Sequence, residues 1–224
     1  MESTSHLPIL KRAGAVLLVV GLIDVAVMIY CIINSASYSS SFNILAVAAG
    51  IFLLRGNLRA ASIIRWIAVF MFSAFSGLLL VWPFMQPIDL TLTQARLSPL
   101  ASVASLALMA FVLALLLWLY RELGRAPILE ARVDAGRKVR DMRIPAAVGA
   151  GCVVAIAIFL TVLLGGETAA KAKALAQQQL GTGYSYHVSS LQIGSSSAGT
   201  NVAAVVTAWN EKEVRNVPIT WREQ

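Results

Sequence analysis

The chain has 224 residues, of which 58% are hydrophobic and 13% are charged, and its formal net charge is +7. These proportions differ from those of soluble globular proteins, and no basic motif with interleaved aromatic residues points to a nucleic-acid partner. The apolar residues instead gather into blocks long enough to cross the hydrocarbon core of a membrane, which takes about 20 residues of helix.

The first apolar block, residues 13–33, follows Lys11 and Arg12 and is predicted to be a retained transmembrane span. A cleaved signal peptide is the alternative, with residues 35–37 as a small-residue cleavage site. The block is longer than the usual apolar core of a signal peptide and carries Asp24 near its middle, and both features favour a span.

Four further spans are predicted, at about residues 38–54, 66–82, 100–120 and 145–164. Three prolines between residues 83 and 99 predict a loop there, and the third span is predicted to end at Pro83. Pro145 stands at the start of the fifth span, where helices accept proline.

The Lys and Arg residues predict the orientation. The loop 121–144 holds seven of them, and the flanks 1–12 and 55–65 hold two and three, whereas the linkers 34–41 and 83–99 hold none and one. Because basic flanks stay in the cytoplasm, the amino terminus is predicted inside and the carboxyl terminus outside. The chain is thus expected to be a multi-pass protein of a bacterial inner membrane, with membrane lipids around it and a periplasmic C-terminal domain.

The composition changes after Gly166. Residues 167–180 are strong helix formers that end at Gly181. Alternating apolar residues then predict three antiparallel strands, which start near Tyr184, Thr200 and Val214, with a bulge at residues 189–190 of the first. The predicted fold class is therefore a mainly α membrane protein, in which a five-helix transmembrane bundle precedes a small extracytoplasmic α+β unit over residues 165–224.

The order of elements in this tail, a span leading through a helix into a meander, is similar to that of pilins and of small cystatin-like or nuclear-transport-factor-like extracytoplasmic units. The resemblance covers about a quarter of the chain and is carried by element order without a motif. It therefore implies an outline of the fold and no functional residues.

Asp24 is the first candidate site. It lies about 16 Å into the first span, near the midplane of a membrane, where a carboxylate is neutral, paired or in contact with water. Ser73 and Ser76 of the third span lie at a suitable depth to hydrogen-bond it. Three interpretations stay open: a proton or cation site of a small transporter or channel, a buried polar contact that fixes the helix register, and a misplaced boundary of the first span.

Small residues recur at intervals of four along three spans, which lets helix backbones approach closely in lipid. They are Ala46 and Gly50 on the second span, Ser73 and Gly77 on the third, and Ala147, Gly151 and Ala155 on the fifth. Packing within one bundle is one explanation, and homo-oligomerisation through the fifth span is the other.

The basic loop 121–144 is predicted to contain an amphipathic helix after Pro127, with apolar positions at Leu129, Val133, Val139 and Met142. Its basic residues are predicted to contact anionic lipid at the membrane surface, where they also orient the chain. These residues are Arg132, Arg137, Lys138, Arg140 and Arg143.

No metal-ligand spacing, phosphate loop or nucleophile motif occurs, so neither a cofactor nor a catalytic residue is predicted. The strand edges of the tail can instead accept another chain by main-chain pairing. The predicted contact residues are Tyr184, Tyr186, Val188, Val217, Ile219 and Trp221. The favoured function is a non-enzymatic membrane protein whose exported domain binds another membrane or periplasmic protein or assembles with copies of itself. A transporter or channel subunit that uses Asp24 is the alternative.

Overall fold

The computed structural model describes residues 5–35, 43–138, 140–196 and 199–223, and most of them are helical. The helices in this part of the chain are α1 (His6–Ile33), α2 (Asn43–Leu54), α3 (Leu58–Met85), α4 (Ile88–Leu97), α5 (Pro99–Glu122), α6 (Ala126–Asp134), α7 (Arg143–Gly165) and α8 (Glu167–Leu180). The strands are β1 (Ser185–Ser196), β2 (Gly199–Trp209) and β3 (Val214–Glu223). The chain divides into two compact units, Met1–Ser73 with Val112–Gly149 and Ala74–Phe111 with Ala150–Gln224.

Four helices, α1, α3, α5 and α7, are long and apolar enough to cross a membrane, with 23 to 28 residues each. At 1.5 Å per residue they extend over about 35 to 42 Å, more than the hydrocarbon core of a bilayer. The shorter α2 has 12 residues. The first part of the predicted second span, residues 38–42, lies outside the described residues, so the count of five spans stays a prediction.

The predicted loop over residues 83–99 is wrong, because helix occupies much of it. α3 continues through Pro83 and ends two residues later at Met85, so the helical hydrogen bond that proline removes is lost close to the end of the helix. α4 follows Pro87 and has Asp89 in its first turn and Arg96 in its last, and both charges suit the helix dipole. The sequence contained this helix signal, which the three prolines obscured.

Two glycines allow α1 and α2 of the first unit to touch backbone to backbone. A Cβ atom on Gly14 would lie 2.8 Å from the carbonyl oxygen of Gly50, and a Cβ on Gly50 would lie 2.8 Å from that of Gly14. Both distances are well inside van der Waals contact. The absence of a side chain at each position is therefore a condition of the α1–α2 contact, which is the most extensive helix pairing of the described residues.

One apolar core holds the helix ends of the first unit together. It combines residues from the start of α1, the end of α2, the start of α3, the end of α5 and the following turn with α6: Leu10, Ala13, Leu17, Leu53, Ala61, Ala68, Leu119, Leu123 and Ile128. The three basic segments 1–12, 55–65 and 121–144 adjoin these helix ends. The segments that the sequence analysis placed on one side of the membrane therefore converge.

The C-terminal part of the second unit is a three-stranded antiparallel sheet of order β1-β2-β3, which confirms the predicted meander. The β1–β2 register shifts between Val188 and Ser190, where the bulge is predicted. α8 covers the predicted 167–180, and Gly181 after it has a φ of +82°, which favours glycine. The alanines of α8 at positions 169, 172 and 176 pack against Val188, Val206 and Ile219.

Candidate functional site

The three residues of the predicted Asp24 site lie on the helices α1 and α3. Asp24 is half-buried on α1, and Ser73 and Ser76 are half-buried on α3. The Ser73 hydroxyl donates a hydrogen bond to the carbonyl oxygen of Ala146 on α7, at 2.7 Å. Its proton is thus used in helix packing, and the transport function of Asp24 stays a prediction.

The predicted small-residue positions fall into two groups. Gly50 lies in the α1–α2 contact, with Ala46 half-buried one turn earlier, and a Cβ atom built on Gly77 would lie 3.5 Å from the side chain of Val153 on α7. The positions on α7 are different, because all three are exposed in this chain: Ala147, Gly151 and Ala155. Nothing among the described residues lies within 4 Å of a Cβ built on Gly151.

The basic loop contains a helix at Pro127, as predicted, but this helix is shorter and buries other residues than the predicted amphipathic helix. α6 ends at Asp134, so Met142 lies beyond it, and Val139 is outside the described residues. The residues that α6 buries are Ile128 and Arg132, whereas the predicted apolar position Val133 is 58% exposed. Of the predicted lipid contacts, Lys138, Arg140 and Arg143 are exposed, Arg137 is half-buried, and Arg132 is buried.

Glu122, at the end of α5, is an ionic contact that the sequence analysis missed. Its side chain is buried and pairs with Arg125 at 2.9 Å, with Arg12 at 4.0 Å. The Arg12 guanidinium also lies over the ring of Trp118, 5.9 Å from the ring centroid. These contacts tie the start of α1 to the end of α5, and an acid directly after an apolar span was the signal that could have revealed them.

The predicted partner-binding residues of the tail mostly face its own helix. Val188 and Ile219 are 1% and 3% exposed in the core beneath α8, and Tyr186, Val217 and Trp221 pack against the same core. Their side chains are therefore used inside the unit. Another chain would therefore contact these strands through the main-chain groups at the edges of the sheet.

A polar network fixes the start of the sheet. The Tyr184 hydroxyl donates to the carboxylate of Glu213, which also pairs with Arg215 at 2.8 Å. The hydrogen bond to Glu213 raises the pKa of Tyr184, and the bonds from Tyr184 and Arg215 lower the pKa of Glu213. The network therefore ties the residue before β1 to the loop before β3.

The two sheet edges differ in how well they can pair with another strand. The Asn210 amide donates a hydrogen bond to the Glu213 carbonyl at 3.0 Å, at the turn between β2 and β3. From this pair onward, opposite residues of the two antiparallel strands alternate between hydrogen-bonded and non-hydrogen-bonded pairs. Counting along the register puts Pro218 of β3 in a non-bonded pair, whose main-chain groups face the outer edge. The β3 edge thus lacks a donor at Pro218 and carries the exposed Arg215 and Arg222, which are typical guards of an edge.

The β1 edge has neither a proline nor a charged residue, and its bulge at residues 189–190 lies before the stretch from Leu191 to Ile193. By the same alternation, the main-chain groups of Val205 in β2 point towards its partner Ser190 in β1. The residues next to such a bonded pair point the other way, so the amides of Leu191 and Ile193 face the outer edge of β1. Ile193, near its end, is 52% exposed. Within the described part of the chain, β1 is therefore the strand best suited to accept another one.

His187 lies on the face of β1 opposite to the one under α8, in register with the buried Thr207. Thr207 bonds Asn216 of β3 at 2.9 Å and also the hydroxyl of Ser189. Burial lowers the pKa of His187, and the charge of Lys173 lowers it further. The folded unit therefore resists protonation of this imidazole.

We expect the tail to lose stability as the pH falls from about 7 to 5. The unfolded chain takes up a proton at His187 near its ordinary pKa of about 6.5, whereas the folded chain takes it up only at lower pH. Stability is thus complete above about pH 6.5 and falls below it. Hydrogen exchange of the β2 amides in the full-length protein should measure this loss. His187→Gln should flatten the pH dependence, whereas His6→Gln, outside the tail, should leave it intact.

These features define the class as a multi-span membrane protein with a C-terminal helix-on-sheet unit. Among the described residues, no three His, Cys, Asp or Glu side chains come together as metal ligands would. Comparison with family models, with curated proteins and with solved structures finds no match to this chain. Its function is therefore argued from its own residues.

Proposed function

We propose that the chain is a membrane-anchored protein-binding module, whose C-terminal sheet takes up a strand of another protein chain along the outer edge of β1. The observation that carries this proposal is the contrast between the two edges. β3 lacks a donor at Pro218 and bears two arginines, whereas β1 offers the outward amides of Leu191 and Ile193 without a charge or a proline. Strand addition needs such an unguarded edge.

The packing of the tail supports main-chain recognition. Its apolar residues are already buried beneath α8, so the fold of the unit does not require the partner. Open main-chain donors and acceptors along one strand supply affinity, and exposed side chains such as Ile193 supply specificity. A small unit of this kind also gains stability from an added strand.

The proposal places the tail outside the cytoplasm. The basic segments 1–12, 55–65 and 121–144 converge at one end of the first unit, and such segments are retained on the cytoplasmic side. The convergence requires that the chain comes back to the same side of the membrane between the end of α1 and the start of α3. It does not depend on how much of the segment that includes α2 lies in the membrane. The partner is then a membrane or periplasmic protein or a second copy of the chain.

The experiment compares two proline substitutions at outward-facing positions of the two edges. Ile193→Pro removes a donor from the β1 edge, and Thr220→Pro removes the equivalent donor from the β3 edge, while neither position bonds to β2. We expect Ile193→Pro to weaken the complex about 10-fold or more, because one hydrogen bond is lost and the proline ring obstructs the incoming strand. Thr220→Pro should bind as the parent does.

Native mass spectrometry from native-like lipid is the measurement, because the added mass states whether the bound chain is a second copy or a different protein. Hydrogen exchange of the β2 amides serves as the check that both variants fold. A complex that survives Ile193→Pro unchanged, or that responds equally to both prolines, would contradict strand addition at β1.

A further inference from the structure

Three arginines of the first unit gather around a fourth arginine whose side chain is buried. Arg132 of α6 is 4% exposed. Arg65 of α3 and Arg137 and Arg140, which follow α6, lie close enough for their charges to act on it. These four residues are called the arginine cluster below. Lys138 and Arg140 are exposed, so the cluster reaches the surface of the unit.

The arginine cluster has more hydrogen-bond donors than acceptors. One terminal nitrogen of Arg132, Nη2, donates to the carbonyl oxygen of Lys138 at 2.9 Å. Three further buried nitrogens, Nε of Arg132, Nε of Arg65 and Nη1 of Arg137, have no hydrogen-bond partner among the described residues. A buried donor without a partner is unfavourable, and more so when it is charged.

The positive charges of the arginine cluster also outnumber the negative charges beside them. Burial lowers the pKa of Arg132, and every charged neighbour that contributes to this lowering is another arginine. Glu122, the buried acid of the same unit, pairs with Arg125 at 2.9 Å, and no acid is among the residues whose charge acts on Arg132. Buried charges in proteins are normally paired, whereas Arg132 is buried with no ion pair to an acid among the residues that the structure describes.

Arg65 is held in the cluster by its surroundings. Its guanidinium lies over the ring of Tyr120, 5.1 Å from the ring centroid. Gly124 leaves room for it, since a Cβ atom there would lie 2.8 Å from Nη2 of Arg65. The aromatic ring therefore contacts the guanidinium, and the absence of a side chain at Gly124 leaves the space that the guanidinium occupies.

We propose that the arginine cluster is a binding site for a phosphate group, with Arg132 at its centre and Arg65, Arg137 and Arg140 around it. The planar guanidinium fork matches the oxygens of phosphate, and several arginines together supply both the charge and the donors that it needs. The phosphate comes either from the headgroup of an anionic lipid or from free phosphate in solution. The site goes beyond surface lipid contact, because its central residue is buried and Arg65 comes from a different helix.

The test uses the purified full-length protein and two probes. In the first arm, the protein is placed in nanodiscs of phosphatidylcholine with or without phosphatidic acid, and native mass spectrometry counts the retained anionic lipid. In the second arm, delipidated protein is titrated with sodium phosphate against sodium chloride at constant ionic strength. Retention in the first arm alone assigns the site to a lipid headgroup, and binding in the second assigns it to free phosphate.

Variants separate the arginine cluster from general basic charge. Arg132→Met and Arg65→Met should each weaken binding about 10-fold or more, whereas Arg143→Met, an exposed arginine of the same loop, should leave binding close to that of the parent. Without ligand, Arg132→Met should melt no lower than the parent, because it removes a buried unpaired charge. The proposal is overturned if the parent binds neither probe, or if Arg143→Met weakens binding as much as the two cluster variants do.

Discussion

Gly50→Leu is expected to abolish the contact between α1 and α2 and to leave the first unit unfolded or rapidly degraded. The Cβ atom alone would lie 2.8 Å from both the carbonyl oxygen of Gly14 and the amide nitrogen of Leu18. These are backbone atoms of α1, so no rotamer change can relieve the clash. The two helices must separate, and Leu53 and Leu17 of the core must separate with them.

The expected cost is at least about 3 kcal/mol, the upper part of the range for overpacked cores, because the obstacle is backbone. Against a total stability of about 5 to 15 kcal/mol, this loss is severe. Thermal unfolding and the yield of monodisperse protein in detergent measure it. Gly14→Leu should behave in the same way, because the contact is reciprocal.

Gly151→Leu is the matched control for this substitution. It also adds a leucine to a glycine of an apolar helix, but a Cβ atom there meets nothing within 4 Å among the described residues. We expect wild-type yield and thermal stability from it. Equal damage from Gly50→Leu and Gly151→Leu would contradict the assignment of the loss to the α1–α2 contact. The control also tests the open face of α7, since an oligomer that packs there would dissociate.

The tail was the most predictable part of the fold, because its signals are local. Helix-forming residues end at Gly181, and apolar residues then alternate with period two along each strand. The bulge could be predicted because the phase of the alternation changes at Ser189 and Ser190. Each of these signals depends on neighbours in sequence, so no knowledge of the packing was needed.

The contacts between helices could not be predicted in the same way. The sequence indicated a close approach at Gly50, but the spacing of small residues does not state that Gly14 is its partner. The basic loop shows the same limit, since its charges explain orientation equally well whether a residue is exposed or buried. Only the packing of α6 distinguishes the buried Arg132 from the exposed Arg143, and only the fold brings Arg65 to it.

The alanines of α8 favour helix formation and also allow the helix to pack closely on the sheet. In sequence they indicate only helix propensity. In the structure Ala169, Ala172 and Ala176 form the stripe that faces the sheet, and each is at most 1% exposed. A small side chain at these positions lets the helix lie close to the apolar residues of β1, β2 and β3. The packing of the tail therefore requires small side chains at these three positions.

Ala172→Leu is accordingly expected to destabilise the tail by about 1 to 3 kcal/mol, the usual cost of added methylenes in a packed core. Ala172 is fully buried against the side that includes Val206, also fully buried, so the larger side chain must lift α8 from the sheet. The apolar face of the sheet is covered by α8, so lifting α8 exposes that face to water. The loss should appear as faster hydrogen exchange of the β2 amides and as earlier proteolytic cleavage after Gly166.

Ala174→Leu provides the matched comparison, because it makes the same change on an exposed position of the same helix. Leucine and alanine are both strong helix formers, so this variant should retain parental exchange and cleavage rates. If Ala172→Leu also abolishes the complex while Ala174→Leu preserves it, the partner requires the folded sheet. Partner binding that persists with an unfolded tail would instead move the binding site away from β1, since the edge exists only while the strands are paired.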